Sequence, residues 1–137
     1  MVREGFSQPN GLAFSPDESI LYIGDSQERR VWRYEVNPDL SLGARALFVE
    51  QANDPRRGAP DGMKVDNGGR LWTTGAGGVS VHTPAGDYLG VFELDEHAAN
   101  ITFGGDGFAT LFMTAGTSVY SIQTAVTGLV PGAPRGR

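Results

Sequence analysis

Cysteine is missing altogether from the 137-residue sequence. Its absence removes disulfide scaffolds, thiolate zinc sites and cysteine nucleophiles together, and leaves the redox compartment open. No run approaches the roughly 20 apolar residues of a membrane-spanning helix. The opening Met1-Val2-Arg3-Glu4-Gly5 leads into no apolar signal segment. The expectation is therefore a soluble, cytoplasmic chain with no membrane partner. Basic residues are also scarce: eleven Lys and Arg against sixteen Asp and Glu give a formal charge of -5. A nucleic-acid surface normally carries a basic excess, which the Arg29-Arg30 and Arg56-Arg57 pairs are too few to create, so no nucleic-acid partner is expected. What the chain has in quantity is turn formers, with twenty Gly and eight Pro. Such a composition suits short strands joined by many turns, and all-β is the favoured class.

The hydrophobic pattern has period two almost throughout. Leu12-Ala13-Phe14, Ile20-Leu21-Tyr22-Ile23, Val31 to Val36 and Arg45 to Val49 form a first set of four strand-length runs. Ser15-Pro16-Asp17-Glu18, Asp25-Ser26 and Asn37-Pro38-Asp39 are the turns between them. The set recurs as Met63 to Val65, Leu71 to Thr74, Val79 to Val81 and Leu89 to Leu94. A third set starts at Ile101 to Phe103, continues through Leu111 to Thr114 and Val119 to Ile122, and then fades, with only Ala125-Val126 as a further strand candidate. Four-stranded repeats of roughly 40 to 50 residues are the signature of β-propeller blades. The blades are expected at approximately 8–50, 59–95 and 99–124, with a tail over 125–137.

Three blades leave two blade faces bare unless a ring is closed. The third repeat lacks its outer strand, while Val2 to Ser7 precede the first repeat where the outer strand of a preceding blade would lie. Two arrangements fit. A second copy of the chain could complete a two-fold, six-bladed ring, or these residues could be the C-terminal half of a longer protein.

Each repeat opens with a short polar side chain ahead of its first strand: Pro9-Asn10-Gly11, Pro60-Asp61-Gly62 and Ala99-Asn100-Ile101. First strands line a propeller's central channel, so Asn10, Asp61 and Asn100 would converge on one channel mouth. Their amide and carboxylate oxygens suit Ca²⁺ first, with Mg²⁺, Zn²⁺ or Mn²⁺ as alternatives. Asn-Gly and Asp-Gly also make type I′ hairpin turns, and Asn100 could simply bond the adjacent backbone.

Gln8 to Glu18, Leu21-Tyr22-Ile23-Gly24-Asp25-Ser26, Ala59 to Asp66 and Asn100 to Gly105 together resemble the C-terminal half of the SMP-30/gluconolactonase family. The resemblance implies a six-bladed propeller and a divalent-metal-dependent hydrolase of sugar lactones or related esters. It implies metal-ligand roles for Asn10 and Asp61, and for Asp61 also the role of general base. The family's third ligand, a first-blade Glu, and its substrate-binding Arg and Asn have no counterpart among these residues. A homodimer would instead bring two copies of Asn10 and Asp61 to one channel. The alternative is a non-catalytic half-propeller that serves binding or assembly, with a vestigial metal site.

The remaining candidates read as scaffold. His82 and His97 lack partners at ligand spacing and are expected at the surface or in packing, with a place near the channel mouth as the alternative for His97. No Gly-x-Ser-x-Gly occurs to support a serine nucleophile. Gly75-Ala76-Gly77-Gly78 and Gly104-Gly105-Asp106-Gly107 precede no helix and read as hairpin turns. Asp25 and Ser26 are turn residues, with pocket lining as the alternative. Trp32 and Trp72 are expected to pack between blades.

Overall fold

The computed structural model describes residues 4–132, so Val2, Arg3 and the end of the tail lie outside the described residues. Alternating strands with short turns give three antiparallel sheets, each a meander in chain order. The first contains β1 (Pro9–Phe14), β2 (Ile20–Asp25), β3 (Arg30–Glu35) and β4 (Ala46–Glu50). The second contains β5 (Met63–Val65), β6 (Leu71–Gly75), β7 (Gly78–His82) and β8 (Tyr88–Glu93). The third has three strands, β9 (Asn100–Gly104), β10 (Thr110–Thr114) and β11 (Val119–Gln123), with a 3₁₀ turn at Asp106–Phe108 between the first two. No described helix is long and apolar enough to cross a membrane.

The sheets stack as blades. β1 lies beside β5, and β5 beside β9, so the first strand of each sheet forms one continuous inner wall. One hydrophobic core joins the first two blades, with Tyr22, Val31, Val49, Met63, Val65 and Leu71. The other joins the second and third, where Trp72, Val79 and Val81 meet Ile101, Phe103, Leu111 and Met113. Trp72 stacks on Phe92 with ring centroids 5.5 Å apart and meets the edge of Phe103 at 5.4 Å. Every residue of β6 and β7 is buried, because the middle blade is covered on both faces.

Among the described residues the outer blades each have a neighbour on one face only. On the first, Leu12 is 60% exposed and Phe14 38% exposed, although both sit in a strand whose period would ordinarily bury one face. With Phe6, Leu21, Ile23 and Leu42 they line an apolar groove. Trp32 pairs with Ile23 on the first blade's uncovered side, where no further blade is described, and its ring is covered by the Arg45 guanidinium, 3.7 Å from the centroid.

Ala125-Val126 does not form a strand. Residues 124–130 instead strap the third blade to the second: Asn67 N–H donates to the Thr127 carbonyl (2.9 Å), and Asp66 and Gly128 form a β-bridge. Gly128 sits so close to Phe103 that a Cβ would overlap its side chain, so a larger residue cannot replace it without moving the strap. The third sheet thus ends without a fourth strand among the described residues.

Candidate functional site

Neither Asn10-Gly11 nor Asp61-Gly62 turns a hairpin. Asn10 and Gly11 lie within β1 at an irregularity between Pro9 and Leu12, Asp61 and Gly62 lead directly into β5, and Asn100 opens β9. The glycines explain the motif. A Cβ on Gly11 would overlap the Asp61 carbonyl, and one on Gly62 would overlap the side chain and Cα of Asn100. Each glycine therefore lets the next blade's polar residue press against the inner wall, which brings Asn10, Asp61 and Asn100 into a row at one end of it.

The three side chains are held differently. Asn10 is exposed, and its Nδ2 donates to Ser26 Oγ (3.1 Å), which in turn donates to the Pro60 carbonyl (2.7 Å). The Asn10 oxygen stays uncommitted, and Ser26 ties the first blade's mouth to the residue before Asp61. Asp61 is half-buried, and its N–H donates to Thr74 Oγ1 (3.0 Å), which fixes the backbone and leaves the carboxylate oxygens open. Asn100 Oδ1 accepts from Ile101 N–H (2.8 Å), the backbone role considered for it from sequence, so part of its acceptor capacity is spent.

Hard oxygen donors of this kind fit a Ca²⁺- or Mg²⁺-type cation. They fit it as part of a shell: Ca²⁺ takes about six to eight oxygens, more than two or three side chains provide. Among the described residues no group of three or more His, Cys, Asp or Glu is placed to hold a metal ion by itself. The donor set is one carboxylate with one or two amides.

Below the mouth, β1, β5 and β9 share a hollow of about 280 Å³ lined by Leu12, Ala13, Phe14, Lys64, Val65 and Thr102 among others. Lys64 is three residues beyond Asp61. Burial lowers its pKa, and its ammonium donates to the Met63 carbonyl (3.0 Å). Ser26, for which pocket lining was the alternative to a turn role, touches Asn10 and Pro60, whereas Lys64 and Thr74 were not singled out from the sequence. For Lys64 a signal existed, since it is the one charged residue inside the apolar run Met63 to Val65.

Asp25 is scaffold. Burial raises its pKa, but the N–H groups of Glu28, Ser7, Gln8 and Gln27 outweigh that, and the net shift is downward. These bonds close the β2–β3 turn and anchor the chain before β1. His97 is exposed and lines a charged cavity with Arg56, Arg57, Glu93 and Asp95 on the mouth side. His82 is buried between the first two blades, with Nε2 3.2 Å from Ser80 Oγ and its ring packed near Phe48 and Tyr88. Burial lowers its pKa below 6.5, partly offset by the Gly86 backbone. The unfolded chain therefore takes up a proton near pH 6.5 that the folded chain refuses, so His82's contribution is intact above that pH and is lost as pH falls towards the folded pKa. His82→Phe should flatten the loss of urea stability between neutral pH and pH 5 relative to the parent chain.

With this geometry in place, comparison with known proteins is specific. The family model for the SMP-30/gluconolactonase/LRE-like region matches residues 1–117. A gluconolactonase from Zymomonas mobilis is 32% identical over 136 residues, covering 93% of this chain and 38% of the relative. A pentonolactonase from Haloferax volcanii is 35% identical over 117 residues, covering 82% and 40%. The crystal structure of a calcium-binding protein, regucalcin from Agrobacterium tumefaciens, superposes with a TM-score of 0.79 at 21% identity, covering 90% of this chain and 48% of that one, a likeness of fold. The chain spans about 40% of the length of the curated relatives it matches. Three stacked blades with adjoining inner strands are part of the six-bladed architecture of these structures. The chain belongs to the SMP-30/gluconolactonase/LRE-like family.

Proposed function

We propose that this chain supplies three blades of a divalent-metal-dependent sugar lactonase whose ring is completed by a second copy. The observation that carries the reading is the contact of Gly11 with the Asp61 backbone, which puts Asn10 and Asp61 side by side on neighbouring inner strands. The two lactonase relatives open related sugar lactones, which supports that substrate class. Calcium is the first expectation for the cation, with zinc, magnesium and manganese as alternatives.

When bound, the cation would supply positive charge for polarising the lactone carbonyl. Asn10 Oδ1 and the Asp61 carboxylate would hold it. Asp61 would take the proton from the attacking water as its oxygen bonds to the carbonyl carbon; the ring C–O bond would then break, Asp61 would return that proton to the departing ring oxygen to make a hydroxyl, and the aldonic acid formed would ionise to aldonate in solvent. Thr74 and Ser26 keep the Asp61 backbone in place for that transfer.

Closure by a second copy is supported by the apolar groove on the first blade and, among the described residues, by a third sheet of three strands and by two open blade faces. Phe6 packs along the groove side, near Tyr34 and Arg45, so the chain reaches β1 from the side a preceding blade would occupy. Each Leu- or Phe-sized side chain covered in closure contributes about 1.5–3 kcal/mol. Two copies would also place two Asp61 carboxylates round one channel.

A non-catalytic assembly module is the second reading, favoured by the sparse donor set at the mouth. Glucono-1,5-lactone opening, followed by acid release after EDTA treatment and metal add-back, separates the two. The lactonase reading expects a rate above background that disappears with EDTA and returns with calcium or zinc. The module reading expects background with every metal.

A further inference from the structure

The connection between β4 and β5 has almost no secondary structure, yet it must deliver Asp61 to a fixed place. Its one large clamp is a side chain from the neighbouring β2–β3 turn. Arg29 Nη1 donates to the Asp54 carbonyl (2.7 Å), Nη2 to the Arg56 carbonyl (2.8 Å) and Nε to the Gly58 carbonyl (3.0 Å). One planar cation thus satisfies three carbonyls spread along the connection. Arg29 adopts φ +55°, a left-handed conformation uncommon for a residue with a side chain, and the turn that imposes it aims the guanidinium across the blade boundary.

The clamp ends where Asp61 begins. Gly58 packs against the Gly75 carbonyl so closely that a Cβ would overlap it. Pro60 is fully buried and its carbonyl is held by Ser26, the Asp61 N–H by Thr74, and the Gly62 N–H by the Ala99 carbonyl (2.9 Å). Losing Arg29 would free three carbonyls in the six residues before Pro60 and leave the Asp54–Arg56 ion pair, the Gly77 N–H on the Arg57 carbonyl (2.8 Å) and these later contacts to hold Asp61.

We infer that Arg29 is a positioning residue, which sets the Asp61 carboxylate through the Asp54–Gly58 backbone without touching the bound cation. This rests on the reading of Asp61 as a metal-holding residue. Lysine can reach one of the three carbonyls, so it restores only part of the effect.

The test uses Mn²⁺ as the probe, titrated into the whole chain and followed by electron paramagnetic resonance, with amide hydrogen exchange measured on the same samples. Arg29→Ala should weaken Mn²⁺ binding about tenfold or more and speed exchange at Asp61 and Gly62 at least as much. Val79 and Val81 in the fully buried β7 should keep their protection, and Arg29→Lys should fall between. If β7 protection is also lost, the Arg29→Lys variant carries the comparison. Wild-type Mn²⁺ affinity together with unchanged exchange at Asp61 would overturn the inference. Should neither the parent chain nor Asp61→Ala bind Mn²⁺, the metal reading of Asp61 fails by itself. Exchange at Asp61 then decides the clamp: faster exchange in the variants supports it and unchanged exchange refutes it.

Discussion

Asp61→Ala is expected to abolish metal-dependent opening of glucono-1,5-lactone while leaving the protein folded. The carboxylate is the one anionic donor in the row at the channel mouth, and on this account it also accepts the proton of the attacking water. Losing a general base typically costs about 10²- to 10⁴-fold, and losing a cation ligand adds to that, so the residual rate should be indistinguishable from background. Stability should barely move, because the folded chain uses Asp61 through its N–H, which donates to Thr74 Oγ1 and survives in the alanine variant. Calorimetry and the lactone assay on one preparation check both halves. A variant that keeps its rate would remove Asp61 from the mechanism.

The largest effect on stability is expected from a different aspartate, Asp66→Ala. Asp66 is 0% exposed and sits where the second blade, its turn and the C-terminal strap meet. Its Oδ1 accepts from the N–H groups of Gly68 (2.9 Å) and Arg70 (3.0 Å). Its Oδ2 accepts from Arg70 Nε (2.7 Å) and from Trp72 Nε1 (2.9 Å). Alanine would leave the indole N–H buried without a partner and break an ion pair whose acidic member is fully buried. Removing one partner of such a network costs about 3–5 kcal/mol, which for a chain of this length corresponds to a fall in melting temperature of about 10–20 °C. Asp66→Asn, which keeps an acceptor oxygen, should lose less. Guanidinium unfolding of the two variants against the parent measures the difference.

The two aspartates show what could be read from sequence. Asp61 announced itself because its Pro-Asp-Gly recurs in phase with Pro9-Asn10-Gly11, and the repeat placed both ahead of a first strand. The blades were legible for the same reason: period two, turn residues at short intervals and a unit that returns. Asp66 stood in plain view in a turn, but its four bonds depend on Trp72 and Arg70 folding back over it, and residue types alone do not encode that convergence. The strap over 124–130 was invisible because it pairs through single backbone contacts with Asp66 and Asn67, not through a run of alternating residues. For Trp32 an apolar strand position says that a face wants covering and not what covers it. Here the cover is Arg45. Arg29 left no signal at all, since its three acceptors are main-chain carbonyls and its reach was set by a left-handed turn.

Ring completion joins the site to the fold, and solution mass tests it most directly. Light scattering after size exclusion, with and without calcium, should give a mass near twice 14.6 kDa, and the same fractions should open glucono-1,5-lactone in a metal-dependent way. Leu12→Asp, which puts a charge on the uncovered face, should return the protein to one copy and extinguish the activity. A well-behaved particle of 14.6 kDa under all conditions would contradict closure by a second copy and the doubled Asn10 and Asp61 site that depends on it.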